Sequence, residues 1–295
     1  MPWLIVGTVP DQDFPLTDGV CVLRGGAVEI GGRTVAAKRG TPALLAAFCL
    51  AAEVLGIEPP AALLAGDTGR GEGSRLVYER LAASVIERGL SGLTFHYLLP
   101  DVLWHDRILF AIEALPKRPL LVADAGYMYA AKMSGQAAAY DLFTPDAGEL
   151  AFLADETAPH PFYTRGFLLA EERRAPELIR NAEALSNAAR HLLVKGDTDY
   201  VTTAGGIVAA IEEPVVATLE PIGGTGDSLT GLVSALLAAG RPVVEACILA
   251  ARANRLMGLI ARPTPAFLVA DLLPFLPAAL TQALAEGPAA KPRPA

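Results

Sequence analysis

The stretch EPIGGTGDSLTGLVSALLAAG, Glu220 to Gly240, carries the strongest signal in the chain. Its alanine- and leucine-rich half predicts a buried helix, and the glycines before it let an anion approach the exposed N–H groups of the first turn. Asp227, at the start of that helix, is placed to accept a proton from a hydroxyl beside a bound phosphate. A simple helix cap formed by Thr225, Asp227 and Ser228 explains the same residues without a ligand, and both interpretations stand at this point.

Upstream of this stretch, short apolar runs alternate with longer helical patterns. The alternation is typical of βαβ crossovers, so it predicts a parallel sheet with helices on both faces. The predicted strands are residues 61–66, 93–99, 119–124, 140–145 and 191–196, followed by a hairpin or a pair of edge strands at 206–211 and 214–219. In such a sheet, ligands bind beyond the carboxyl ends of the strands, where polar residues follow each apolar run.

The patterns divide the chain into three parts. Residues 1–40 contain short β-rich runs broken by glycine pairs and prolines, which predict a small β appendage. Residues 41–285 carry the α/β pattern, and residues 286–295 are rich in proline and alanine and predict a flexible tail. The segment 155–174 breaks the pattern with prolines and clustered charges, which predicts a surface excursion.

The composition excludes several classes of protein. The chain has 24 Lys and Arg against 32 Asp and Glu, a net charge of −8, so we expect no binding to nucleic acid or to a membrane. Hydrophobic residues make up 52% and charged residues 19%, which predicts a globular protein with a large core. Three widely separated cysteines without a CxxC pair predict reduced core thiols, and we expect a cytoplasmic protein.

The string GGTGDSLTG followed by LVSALLAAG resembles the carboxyl-terminal signature of the ribokinase-like superfamily, and it is most similar to the branch of ADP/ATP-dependent NAD(P)H-hydrate dehydratases. The resemblance covers about residues 60–280. It implies a ribokinase-like three-layer α/β/α sandwich with a mostly parallel central sheet. It also implies that Asp227 is the catalytic base. The residues that would bind nucleotide phosphate are Gly223, Gly224, Thr225 and Gly226.

Two further motifs are similar to elements of this superfamily. TPDAGEL, at 144–150, resembles Thr-Pro-Asn-x-x-Glu and the dehydratases' Thr-Pro-His-x-Gly-Glu. By this resemblance Glu149 holds magnesium and its waters, a role that suits a hard oxygen ligand, and Asp146 replaces the His and contacts the substrate or the ion. Lys195 and Gly196 correspond to a Lys-Gly element that meets nucleotide phosphates. An acidic helix start and a solvated lysine explain these residues without a ligand.

Two more carboxylates follow predicted strands. Asp124 ends a strand in LLVADAG, similar to the dehydratases' Asp-Ala-Asp-Ala-Leu, and Asp67 lies in the glycine-rich loop AGDTGRGEGS, which fits neither a dinucleotide-binding nor a Walker loop. Both are predicted to contact the substrate, and for Asp124 an Asx-turn is the structural alternative. The four histidines show no metal-ligand spacing and are predicted to be structural.

The resemblance implies a reaction in which ADP or ATP with Mg²⁺ phosphorylates the hydroxyl of NAD(P)H hydrate, after which phosphate leaves and the double bond is restored. The first alternative is a small-molecule kinase acting on a sugar, a hydroxymethylpyrimidine or a similar alcohol. The second is a nucleotide-binding domain without turnover. The expected partners are a nucleotide and a small-molecule substrate, and the many apolar helices make the protein a candidate homo-oligomer.

Overall fold

The computed structural model of the protein describes residues 1–156 and 174–288. Within these residues the main sheet has six strands, β1 Trp3–Val9, β2 Thr17–Val20, β6 Ala61–Gly66, β7 Gly92–His96, β8 Leu120–Ala123 and β9 Leu142–Phe143. Their spatial order is β2, β6, β1, β7, β8, β9. All neighbours are parallel except the edge strand β2, which runs antiparallel to β6. The prediction of a mostly parallel central sheet is therefore confirmed.

Two smaller β units complete the described strands. A bridge between Phe143 and Leu192 leads from β9 into the antiparallel strands β10 Leu193–Val194, β11 Asp199–Thr203 and β12 Gly206–Ile211. A separate antiparallel sheet contains β3 Val22–Arg24, β4 Ala27–Ile30 and β5 Arg33–Ala36.

The predicted β appendage over residues 1–40 needs correction. Its first strand, β1, is an inner strand of the main sheet, with all seven residues buried and with partners in both β6 and β7. Only β3 to β5 form a small sheet of their own. The position of β1 depends on pairing with residues 61–66 and 92–96, far along the chain, and the local pattern does not encode such pairing.

Helices cover both faces of the main sheet. In chain order they are α1 Gly40–Leu55, α2 Glu72–Ser84, α3 Val102–Glu113, α4 Tyr127–Met133, α5 Ala147–Leu153, α6 Ala175–Ala184, α7 Thr225–Ala238, α8 Val243–Ala261, α9 Val269–Leu272 and α10 Leu276–Glu286. One core contains α1 and α7 to α10, and the other contains α2 to α6. Alternate residues of β1 supply the two cores, Trp3 and Ile5 the first, Leu4 and Val6 the second. This arrangement confirms the predicted three-layer sandwich.

Helix α7 lies directly against α1, and a glycine makes this contact possible. A Cβ atom on Gly231 would stand 2.2 Å from the carbonyl oxygen of Leu44, so only glycine fits there. The close approach brings the first residues of the two helices together at the carboxyl end of the sheet. That end is where the polar residues of the site meet.

The remaining local predictions are partly confirmed. Each of the five predicted strand segments contains a strand, but the 206–211 segment pairs with Asp199–Thr203, and residues Ala217–Leu219 form a 3₁₀ turn. The three cysteines are buried and free. Most of the predicted surface excursion and of the predicted tail, residues 157–173 and 289–295, lies outside the described residues.

Among the described residues, no helix combines the length and the apolar character that crossing a membrane requires.

Candidate active site

Asp227 lies where the first turns of α7 and α1 meet. One carboxylate oxygen, Oδ2, accepts a hydrogen bond from the backbone N–H of Gly40 at 2.5 Å, and Oδ1 lies 3.1 Å from Nε2 of His96. The residue is 8% exposed. Burial raises the pKa of Asp227, but the hydrogen bonds from His96 and Gly40 and the positive charge of Lys195 outweigh it and lower the pKa below its usual value. Asp227 is therefore an ionised carboxylate at neutral pH.

The glycine-rich loop shapes the start of α7. Gly224 precedes the helix with φ at 102°, a left-handed conformation that favours glycine, and a Cβ there would stand 2.8 Å from Val269. A Cβ on Gly223 would meet nothing within 4 Å, so the chain is open to an incoming group at that residue. The first N–H groups of an α-helix have no acceptor within the helix, which leaves the amides of Thr225, Gly226 and Asp227 for an anion.

Lys195 and Asp124 form an ion pair beside this loop, in which Asp124 is buried and Lys195 half-buried. The Nζ atom of Lys195 lies 2.9 and 3.1 Å from the two carboxylate oxygens of Asp124. The side chain of Lys195 also lies along Gly226, where an added Cβ would stand 3.4 Å from its Cδ. Burial lowers the pKa of Lys195, but the nearby carboxylates of Asp124, Glu149 and Asp146 outweigh it, so the pKa is raised. Lys195 is therefore a fixed cation at the start of α7, as a phosphate-binding role requires.

The carboxylate of Asp124 is enclosed by protein groups. It is 1% exposed, and besides Lys195 it accepts hydrogen bonds from Thr230 Oγ1 at 2.5 Å and from the N–H of Ala125 at 2.8 Å. We therefore interpret Asp124 as the residue that holds Lys195 in place, in contrast to the predicted substrate contact.

Glu149 and Asp146 form a reciprocal cap at the start of α5. Asp146 Oδ1 accepts from the N–H of Glu149, and Glu149 Oε2 accepts from the N–H of Asp146, both at 2.8 Å. The other Glu149 oxygen, Oε1, accepts from the hydroxyl of Tyr129 at 3.3 Å. Burial together with the charges of Asp146 and Asp124 raises the pKa of Glu149 to about 8, although Lys195 opposes the shift. Asp146 and Glu149 therefore cap the helix, and the Glu149 carboxyl group is not fully balanced by a positive charge.

The other two predicted site residues, Asp67 and Gly196, belong to hydrogen-bonded loops. Asp67 accepts hydrogen bonds from the N–H groups of Gly69, Arg70, Gly71 and Ser74 and from the Ser74 hydroxyl, all within 3.0 Å. Its carboxylate is saturated by its own loop, so we interpret it as structural instead of as the predicted substrate contact. Gly196 opens the loop after β10, whose carbonyl groups are held by Arg255.

His96 is a site residue that the sequence analysis missed. It ends β7, is 1% exposed, and contacts Asp227, Thr41 and, at 3.8 Å, Asp124. The apolar pattern placed His96 inside the predicted strand 93–99, among histidines predicted to be structural, whereas β7 ends at His96. The contact with Asp227 joins residues 131 positions apart, which no local pattern shows.

A known protein family matches most of this chain. The family model described as NAD(P)H-hydrate dehydratase matches residues 63–273, which is most of the chain. The chain belongs to the NAD(P)H-hydrate dehydratase family. The match spans every predicted site residue, from Asp67 to Asp227. A protein of Methanocaldococcus jannaschii whose function is uncharacterized is 38% identical over 220 residues, 74% of this chain and 90% of that protein.

Solved structures of this family and its relatives share the fold. The ADP/ATP-dependent NAD(P)H-hydrate dehydratase from Bacillus subtilis, co-crystallized with ATP/Mg²⁺, has a TM-score of 0.56 at 14% identity, over 95% of this chain and 89% of that one. A ribokinase-like superfamily protein from Enterococcus faecalis has a TM-score of 0.56 at 15% identity, over 96% and 87%. Pyridoxal kinase from Staphylococcus aureus gives 0.51 at 14%, over 87% of both chains. The family and the shared fold support an enzyme of the dehydratase or ribokinase-like kinase type.

Proposed function

We propose that this member of the NAD(P)H-hydrate dehydratase family uses ADP or ATP to dehydrate NADH or NADPH hydrate. The observation that carries the proposal is the position of Asp227, an ionised carboxylate beside the first-turn amides of α7 and near the cation Lys195. A base, an anion site and a fixed cation in one place are the parts that phosphoryl transfer to a hydroxyl needs. Family membership adds the substrate class.

The reaction proceeds in two steps, phosphorylation of the hydroxyl and elimination of phosphate. Asp227 accepts the proton of the substrate hydroxyl while the oxygen attacks the terminal phosphorus of the nucleotide, so a C–O–P bond forms and the nucleotide loses one phosphoryl group. The phosphate then leaves with the C–O bond electrons, and the adjacent carbon loses a proton as the ring double bond forms. The amides of Gly224 to Asp227 stabilise negative charge on the transferring group, and Lys195 neutralises a nucleotide phosphate.

The donor chemistry of the site fits magnesium bound together with nucleotide. No group of three or more His, Cys, Asp or Glu residues in 1–156 and 174–288 forms a ready metal cage. Magnesium normally takes only one or two protein carboxylates and completes its coordination with phosphates and water. Glu149 provides such a carboxylate, since within residues 1–156 and 174–288 the hydrogen-bond partner of its Oε1 atom is Tyr129, at 3.3 Å. The ion would supply positive charge to the phosphates, and Glu149 would hold it.

Glu149→Gln should separate stability from activity. A glutamine keeps the helix cap, because its side-chain oxygen also accepts from the Asp146 N–H. Burial and two neighbouring carboxylates disfavour the ionised form of Glu149, and a neutral amide carries no such cost, so we expect the free energy of unfolding without magnesium to stay equal or to rise by about 1 kcal/mol. The magnesium concentration that gives half-maximal activity should rise at least tenfold. Glu177→Gln, on an exposed helix position of α6, is the control and should change neither quantity.

The function is tested on chemically prepared NADH hydrate with Mg²⁺ and either ADP or ATP, by absorbance at 340 nm. We expect a rise that depends on nucleotide, with one inorganic phosphate released for each NADH restored. A stable phosphoester and no rise at 340 nm would establish the kinase alternative. Nucleotide binding measured by calorimetry, without turnover of hydrate or of a panel of alcohols, would overturn both.

Two further expectations accompany this proposal. We propose that the enzyme acts in the cytoplasm and that it forms homo-oligomers. Light scattering of the purified protein tests the second, and the mass of a single chain would contradict it.

A further inference from the structure

His96 is the buried histidine that contacts Asp227, and both of its ring nitrogens have protein partners. Nδ1 lies 2.9 Å from the hydroxyl of Thr41, the second residue of α1, and Nε2 lies 3.1 Å from Oδ1 of Asp227. His96 and Thr41 are at most 1% exposed. A histidine held at both ends in this way is fixed in its orientation.

We propose, on the basis of the proposed function, that His96 is a positioning residue that holds the carboxylate of Asp227 for attack on the substrate hydroxyl. The imidazole Nε2–H holds Oδ1, and the Gly40 N–H holds Oδ2. Each carboxylate oxygen keeps a second lone pair, because one hydrogen bond occupies only one. The two donors therefore set the plane of the carboxylate and leave it able to accept a proton.

The partners of His96 select the protonation that this role needs. In the neutral ring, the Thr41 hydroxyl donates to Nδ1 and Nε2 carries the hydrogen. In the protonated ring, both nitrogens carry hydrogens and Thr41 accepts. The remaining tautomer would set the lone pair of Nε2 against the ionised Asp227 carboxylate. In each state that satisfies both partners, Nε2 donates to Asp227.

Close packing surrounds the His96 backbone, the Thr41 hydroxyl and the imidazole ring. A Cβ on Gly7 in β1 would stand 2.5 Å from the carbonyl oxygen of His96 and 2.8 Å from Oγ1 of Thr41. Tyr97 follows with φ at 51°, an uncommon left-handed conformation for a tyrosine, and its ring lies edge-on to His96 with centroids 4.3 Å apart. The site thus holds the imidazole from three sides.

The charged and titratable groups around His96 determine how pH acts on the pair. Asp227 faces it from α7, Asp124 from the end of β8, and Tyr97 from the position after β7, while Lys195 balances the charge of Asp124. Burial raises the pKa of Asp227, and the hydrogen bond from His96 is the strongest opposing influence. Without that hydrogen bond, the pKa of Asp227 rises from its wild-type value, although the Gly40 N–H and the charge of Lys195 still lower it.

Two variants separate positioning from packing. The amide nitrogen of glutamine in His96→Gln can take the place of Nε2 and still donate to Asp227, whereas the shorter His96→Asn can reach only the Thr41 side. We expect kcat of H96N to fall about 100-fold, the loss typical of a misplaced reacting group, with little change in KM for nucleotide. H96Q should retain kcat within severalfold. The acid limb of kcat/KM, where Asp227 takes up a proton, should move to higher pH in H96N.

Equal losses of kcat in H96N and H96Q, with an acid limb at the wild-type pH, would overturn the proposal, because a merely structural histidine predicts that result.

A measurement that does not need turnover is ¹⁵N NMR of the four histidines, with His96 assigned by the signal missing from H96Q. We expect hydrogen on Nε2 in the wild type and a changed His96 signal in Asp227→Asn. Hydrogen on Nδ1 alone would also overturn it. If the wild-type enzyme dehydrates no hydrate and phosphorylates no alcohol, the proposed function fails, while the NMR result still tests the contact.

Discussion

Replacing Asp227 by Asn should lower kcat by about 10²- to 10⁴-fold, the range observed when a general base is removed. The amide has nearly the shape of the carboxylate, so its oxygen can still accept from the Gly40 N–H, but it cannot take the proton of the substrate hydroxyl. Nucleotide binding should change little, because the first-turn amides and Lys195 remain. The measurement is steady-state turnover of NADH hydrate at 340 nm, with nucleotide affinity determined separately by calorimetry.

The matched control for Asp227→Asn is Asp13→Asn. Asp13 is an exposed residue in the loop after β1, and its side chain takes no part in the site. It should retain wild-type kcat. If Asp227→Asn kept near wild-type turnover with an intact fold, Asp227 would not be the base, and another group would have to accept the hydroxyl proton.

Removing Asp124 should produce the largest loss of stability in the site. Asp124→Ala leaves the half-buried Lys195 ammonium without the carboxylate that it contacts at 2.9 Å and removes the acceptor of the Thr230 hydroxyl. Breaking a buried ion pair from one side typically costs about 3–5 kcal/mol. We expect the lower end of this range, because Glu149 and Asp146 still face Lys195. Denaturant unfolding should show this decrease in the free energy of unfolding at neutral pH.

A surface ion pair provides the comparison. Asp18 pairs with Arg88 at 2.5 Å, but its side chain is 28% exposed, and Asp18→Ala should cost about 1 kcal/mol or less. Adding Lys195→Met to Asp124→Ala should recover part of the loss, because it removes the stranded charge. The Asp124 and Asp18 variants could lose equal free energy of unfolding, or Lys195→Met could fail to restore stability to Asp124→Ala. Either result would contradict the claim that Asp124 stabilises the charge of Lys195.

The candidate site was partly predictable, because some of its features are local in the chain. The glycines, Asp227 and the apolar helix that follows are contiguous, so loop, helix start and carboxylate could be located together. Lys195 and the Glu149 cap likewise follow strands that their own apolar runs predict. The sequence did not show which carboxylates face the ligand site and which are hydrogen-bonded by protein groups. Asp67 and Asp124 also follow strands, but the structure surrounds both with protein donors.

By itself, the sequence determined the α/β class and most strand and helix positions, because apolar periodicity and glycine-rich turns are local properties. The family was indicated by the resemblance of the contiguous string GGTGDSLTG. Only the tertiary structure decided that β1 is an inner strand, that His96 contacts Asp227 and that Gly40 donates to it from 187 residues away. These contacts depend on strand order and on the close approach of α1 to α7. Such long-range pairings arise when separate segments pack together, and no short stretch of sequence specifies them.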